Sequence, residues 1–178
     1  MKRIVNHQLT LKPQDLLVAL KLALPDQKSA PYAELAVALG MSASEVHACV
    51  GRLTSARLTV MDDGRPRVVR AALKELVLHG ARYVFPATQG VATRGMATGY
   101  AAAPLAALIV QPDDPPPVWP DPEGTRRGIA FYPLYPTAPL AARNDARLYE
   151  SLVLFDALRG GAARERQIAL KLLGERLT

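Results

Sequence analysis

Apolar residues return every three or four positions along much of the chain, the period of a helix that buries one face. Leu16, Leu17, Leu20 and Leu24 set a first helix over Thr10 to Leu24, opened near Pro13 and Asp15 and closed by Pro25. Leu35, Ala36, Leu39 and Val46 form a further stripe, interrupted by Gly40-Met41-Ser42. Gly40 falls where a helix ends on a left-handed residue, a conformation that costs glycine little. Ser42-Ala43-Ser44-Glu45 fits a capping box, with Ser42 as N-cap and Glu45 reaching back. The next helix is predicted from about Ala43 to Ser55, burying Val46, Cys49, Val50 and Leu53. Two short helices meeting across such a break make a helix-turn-helix, and small Ala36 suits their close approach.

The period then changes. Leu58-Thr59-Val60-Met61 alternates as a strand does, Asp62-Asp63-Gly64 is a tight-turn sequence, and Arg65 to Val69 can return as a second strand. With this hairpin the stretch YAELAVALGMSASEVHACVGRL followed by LTVMDDGRPRVV resembles the winged helix-turn-helix regulators of the MarR type. With the preceding helix, the resemblance covers somewhat under half the chain. It implies a DNA-binding fold working as a homodimer, often joined through terminal helices. Some winged helices bind only proteins, so the fold alone does not fix the function.

Helical spacing resumes over Ala71 to His79, with Leu73, Leu76 and Val77 inward and Gly80 as a stop. Arg82-Tyr83-Val84-Phe85 reads as a buried strand ended by Pro86, and Tyr83 to Tyr100 as a turn-rich loop packed on the core. Nine of the fifteen prolines lie from Pro112 onward, so no regular helix fits there. Val118, Trp119, Ile129, Phe131, Tyr132, Leu134 and Tyr135 nevertheless persist, which predicts an ordered, irregular wrap with one strand near Gly128 to Tyr132. Disorder of Pro112 to Thr125 is the alternative. Asn144-Asp145 opens a helix to about Arg159, with Leu148, Leu152, Phe155 and Leu158 on one face. Gly160-Gly161 breaks it, and a last helix spans Ala162 to Leu177. This helical hairpin either completes the core or covers a second copy. Residues 1 to 9 read as a short arm and residues 26 to 30 as a loop.

The expected class is mainly α with a small β-wing (α+β). Three parts are expected: a winged helix over 1-82, a Pro-rich segment over 83-143 and the hairpin over 144-178. Charge adds weight to the winged-helix part. The formal net charge is +6, and between Arg52 and Arg94 eight basic residues face three acidic ones. That excess suits a nucleic acid. On the second helix Ser44, His47, Ala48, Gly51 and Arg52 are expected to face outward, with Ser44 and His47 near the end that meets base edges. Arg52 could take a guanine or a phosphate, and Ser42 a phosphate. Arg57, Arg65, Arg67 and Arg70 on the hairpin and its flanks suit phosphates or a minor groove. The expected interface is thus Ser42, Ser44, His47, Ala48, Arg52, Arg57, Arg65, Arg67 and Arg70, on double-stranded DNA.

Other classes find less support. The single cysteine, Cys49, permits no internal disulfide and no Cys-based zinc site, and its apolar phase marks it as a small buried hydrophobe. His7, His47 and His79 are scattered, no phosphate-loop or nucleophile motif occurs, and Asp113-Asp114 reads as solvated loop charge. Neither enzyme chemistry, cofactor nor metal is expected. MKRIVNHQLT lacks the apolar core of a signal peptide, and no apolar run is long enough for a bilayer, so a cytoplasmic protein is expected. The sequence therefore predicts a dimeric DNA-binding regulator, most simply a repressor. The alternative is an interaction module, antitoxin-like, whose C-terminal half binds a partner protein.

Overall fold

α1 (Pro13–Leu22) lies at the centre of the fold. The computed structural model describes residues 10–25 and 31–178, and in it every residue from Asp15 to Leu24 is buried. The expected stripe of Leu16, Leu17, Leu20 and Leu24 is only part of that surface, because Val18, Ala19 and Leu22 are buried too. A helix covered all round belongs to a core, not to a surface. The expected arm over residues 1 to 9 and loop over residues 26 to 30 lie outside the described residues.

α2 (Tyr32–Leu39) ends at Gly40, whose φ of 62° and ψ of 38° place it in the left-handed region. α3 (Ala43–Ser55) begins at Ser42 with both halves of the capping box formed. The Glu45 amide donates to Ser42 Oγ at 3.2 Å, and the Ser42 amide donates to Glu45 Oε2 at 2.8 Å. A hairpin follows: β1 (Thr59–Asp62) pairs antiparallel with β2 (Arg65–Val68), Asp62 opposite Arg65. The two turn residues, Asp63 and Gly64, both have positive φ, 46° and 73°. That is the type I′ geometry whose twist matches a two-stranded ribbon.

The next segment departs from expectation. α4 (Arg70–Glu75) runs through a π-helical turn (Leu76–Gly80) directly into α5 (Ala81–Val84). Arg82 to Val84 is therefore helix, not strand, and Gly80 does not stop it. Val77, Ala81 and Phe85, four apart, are the buried positions, while Tyr83 and Val84 are exposed. The four-residue period outweighs the local strand propensity of this run.

The Pro-rich part is regular where an irregular wrap was expected. β3 (Gln89–Ala97), β4 (Pro117–Pro120) and β5 (Arg126–Phe131) close into a three-stranded barrel. β3 is antiparallel to both partners, and β4 and β5 are parallel. The expected strand near Gly128 is β5; β3 and β4 fall where a loop and a wrap were expected. Glycine makes the closure possible. A Cβ on Gly95 would lie 1.9 Å from Trp119 O, and one on Gly128 would lie 1.9 Å from Pro116 O. Prolines tolerate this strand because it contributes carbonyls: Pro116 O and Pro117 O accept from the Ile129 and Thr98 amides.

α6 (Ala138–Asn144), α7 (Ala146–Gly160) and α8 (Ala163–Arg176) complete an α+β architecture. α7 begins at Asp145, whose side chain accepts from the Arg147 and Leu148 amides. Ser151 to Leu158 are all buried, so α7, like α1, is interior. α8 packs against α7, with Ala169 and Leu173 buried. A continuous core runs from Leu16 through Leu39, Leu53, Trp119 and Phe155 to Leu177. Asp156 ties the barrel to α7. One carboxylate oxygen accepts from Thr98 Oγ1 at 2.7 Å and Trp119 Nε1 at 2.5 Å, and the other accepts from Arg159. Trp119 is thus a structural anchor, 1% exposed. No described helix is long and apolar enough to cross a membrane.

If backbone contact closes the barrel, Gly95→Ala should lower unfolding free energy by about 3 kcal/mol or more. A Cβ on Gly51, in mid-α3, meets nothing within 4 Å. Gly51→Ala should therefore raise stability by up to about 1 kcal/mol. Urea denaturation of both variants checks the pair.

Candidate nucleic-acid interface

α3 carries its two faces as its period requires. Val46, Cys49, Val50 and Leu53 are buried against the core. Ser44, His47, Ala48 and Gly51 are exposed, and Thr54 and Ser55 extend the same face. Ser44, Ala48, Gly51 and Ser55 follow one another at intervals of four, three and four, giving a shallow surface of small side chains. His47 stands beside it, its ring 5.4 Å from that of Tyr32 and edge-on. Thr54 and Ser55 escaped the sequence reading although their phase places them here. Ser42 is exposed, and its hydroxyl is engaged with Glu45 Oε2 at 2.8 Å. Its backbone amide and its hydroxyl, which also donate to Ser42's neighbour Glu45, hold that carboxyl below the usual glutamate range.

The nine expected contact residues divide into outward and inward groups. Arg57, Arg65 and Arg67 are exposed. Along β2 exposure alternates, with Arg65 and Arg67 outward and Pro66 and Val68 inward, so both arginines project from one side of the hairpin. Arg67 Nε lies 3.2 Å from Asp62 Oδ2, with both side chains more than half exposed. Such a pair contributes little to stability. Arg57 joins α3 to β1 with φ 60°, a left-handed conformation unusual for a side-chain-bearing residue.

Arg52 and Arg70 are placed otherwise than expected. Arg52 does not face outward: its Nε and Nη2 donate to the two oxygens of Asp15 at 2.8 and 2.6 Å. Asp15 is completely buried, and the Arg52 side chain is 16% exposed. Fork and carboxylate make a bidentate pair that fixes α3 onto α1. Hydrogen bonding to Asp15 raises the Arg52 pKa, so the guanidinium remains charged. Arg70 is turned inward as well, donating to Ala23 O at 2.6 Å and to the carbonyls of Arg176 and Thr178. It ties the end of α1 to the end of α8. The missing signal was the position of Asp15: in sequence it reads as a first-turn helix residue, and only the fold brings it beneath α3.

Cys49 lies in the same contact, its sulfur 3.4 Å from Arg52 Nη2. Burial, followed by the hydrogen bond and charge of Asp15, pushes its thiol up to about 12. A thiol so protonated is a poor nucleophile. Among the described residues no three His, Cys, Asp or Glu side chains gather where they could hold a metal ion. Comparison with models of known protein families, with curated protein sequences and with solved structures finds no match.

Removing Arg52 would leave a buried carboxylate without its partner. Arg52→Ala should cost about 3 to 5 kcal/mol of unfolding free energy. Equilibrium denaturation gives the cost, and a loss below about 1 kcal/mol would return Arg52 to the surface set.

Proposed function

We propose that the chain is a winged helix-turn-helix, MarR-like DNA-binding regulator, acting as a dimeric repressor. The order α1, α2, left-handed Gly40, capped α3 and I′ hairpin supports this reading. One observation carries it: the outer face of α3 is exposed and built from small side chains, and exposed arginines follow it in the chain, at Arg57 and on the hairpin. Small residues let a helix backbone approach base edges, while Ser44 and His47 supply polar atoms near its N-terminal end. Arg57, Arg65 and Arg67 then contact phosphates or an adjacent minor groove. Arg52 and Arg70 support this surface from within. A pseudo-palindromic operator would be met by two copies. Sedimentation of the free protein and of its DNA complex tests the homodimer. Such a regulator would work in the cytoplasm.

A protein-interaction module is the second reading. Val37 favours it, since it stands 81% exposed on the outer side of α2, beside Ala33 and Ala38 in an apolar depression.

The test is duplex binding over a salt series. Wild type should bind with an affinity that falls steeply as salt rises. Arg65→Ala/Arg67→Ala should lower the slope of log K against log salt by about 1.8, at about 0.9 per phosphate contact. Arg57→Gly is the sharper variant, because glycine relieves the left-handed φ. Its melting temperature should hold or rise while the binding slope falls by about 0.9. No duplex binding by wild type at low salt would sink the regulator reading, and attention would pass to the Val37 face.

A further inference from the structure

We infer that the outer face of the three-stranded barrel, through Arg94 and Arg127, is a second phosphate-backbone contact for nucleic acid, separate from α3 and the hairpin. The register places the two residues directly opposite each other on antiparallel strands. Cβ atoms of such pairs stand about 5 Å apart on one face of a sheet, and like charges so placed repel. Both residues are exposed. Neither guanidinium has a carboxylate partner among the described residues.

The acids of the β4–β5 turn and of the helix beneath are already engaged. Asp121 and Glu123, in the turn between β4 and β5, are both held by Arg143 of α6. Asp156, beneath the barrel, is held by Arg159. The barrel thus presents two adjacent cations outward, while Asp121 and Glu123 are engaged by Arg143; Arg126, also exposed, alternates to the other side of its strand. A repelling pair on a rigid strand register matches a polymer with closely spaced negative charges. Planar guanidinium forks suit phosphate oxygens in particular. The partner that fits is a phosphodiester backbone, read for its charge and not for its sequence. The inference shares its polyanionic partner with the proposed function and uses a different surface.

The experiment compares the full chain with Arg94→Ala/Arg127→Ala in duplex binding across a salt series. A control variant, Arg164→Ala/Lys171→Ala, removes the same charge from the exposed side of α8. The barrel variant should lower the salt slope by about 1.8 and weaken binding at 0.1 M salt on the order of 50-fold, on duplexes of unrelated sequence alike. Its melting temperature should hold or rise, because a repulsion has been removed. The control should shift the slope by much less. Equal losses in barrel and control variants would overturn the inference, since only total charge would then matter. An unchanged slope in the barrel variant, with α3 and hairpin variants impaired, would overturn it alone. If the barrel variant is impaired and the α3 and hairpin variants are not, the inference stands and the regulator reading falls. Failure of wild type to bind duplex at low salt would overturn both.

Discussion

Two opposite charges sit inside the central helix, and the rest of the structure is arranged to neutralise them. Asp15 near the start of α1 is forked by Arg52 of α3, and Lys21 near its end donates to Asp145, the N-cap of α7, at 2.6 Å. An ionised side chain buried without a partner costs several kcal/mol, so neither helix can leave α1 without exposing that cost. One charge therefore registers the helix-turn-helix and the other registers the C-terminal hairpin. Burial alone would raise the Asp145 carboxyl; its bonds from Lys21, Leu148 and Arg147 outweigh this and hold it below the usual aspartate range. Its share of stability is present above the unfolded value near 3.8 and is lost as pH falls through the lower, folded value.

The same division runs through the arginines. Arg52, Arg70 and Arg159 spend their donors inward, on Asp15, on the ends of α1 and α8, and on Asp156. Arg57, Arg67, Arg94 and Arg127 are exposed. Four carboxylates, Asp15, Asp121, Asp156 and Glu165, are buried as well, and the first three are held by arginines. Where an arginine's charge is directed thus depends on whether the fold brings a carboxylate or a carbonyl within its reach.

What could be read from the sequence was local. The α3 cap, the left-handed Gly40, the I′ turn at Asp63-Gly64 and the Gly-Gly break after α7 each depend on residues within a few positions, and each was legible. Arg52 was not, because its partner lies thirty-seven positions upstream and meets it only when α1 is enclosed. Helical phase alone put its Cα near the outer face; a long side chain can still turn inward. The barrel was hidden for a different reason. Its strands carry prolines and glycines, the residues that argue against a strand, and they suit this one because strand closure requires close backbone approach and few donors. Arg94 and Arg127 gain meaning only from a register that no period in the sequence reveals.

The closed barrel also has a bearing on how the chain behaves in company. An open sheet offers its outer strands as templates for another chain, which is how edge-to-edge aggregation begins. Here β3 pairs with β4 through Gly95 to Ala97 and with β5 through Gln89 to Gly95, and β4 and β5 pair with each other, so the ring closes where the three strands meet. The glycines at 95 and 128 therefore guard solubility as much as shape, for opening the ring at either would uncover strand edges that the closure keeps paired.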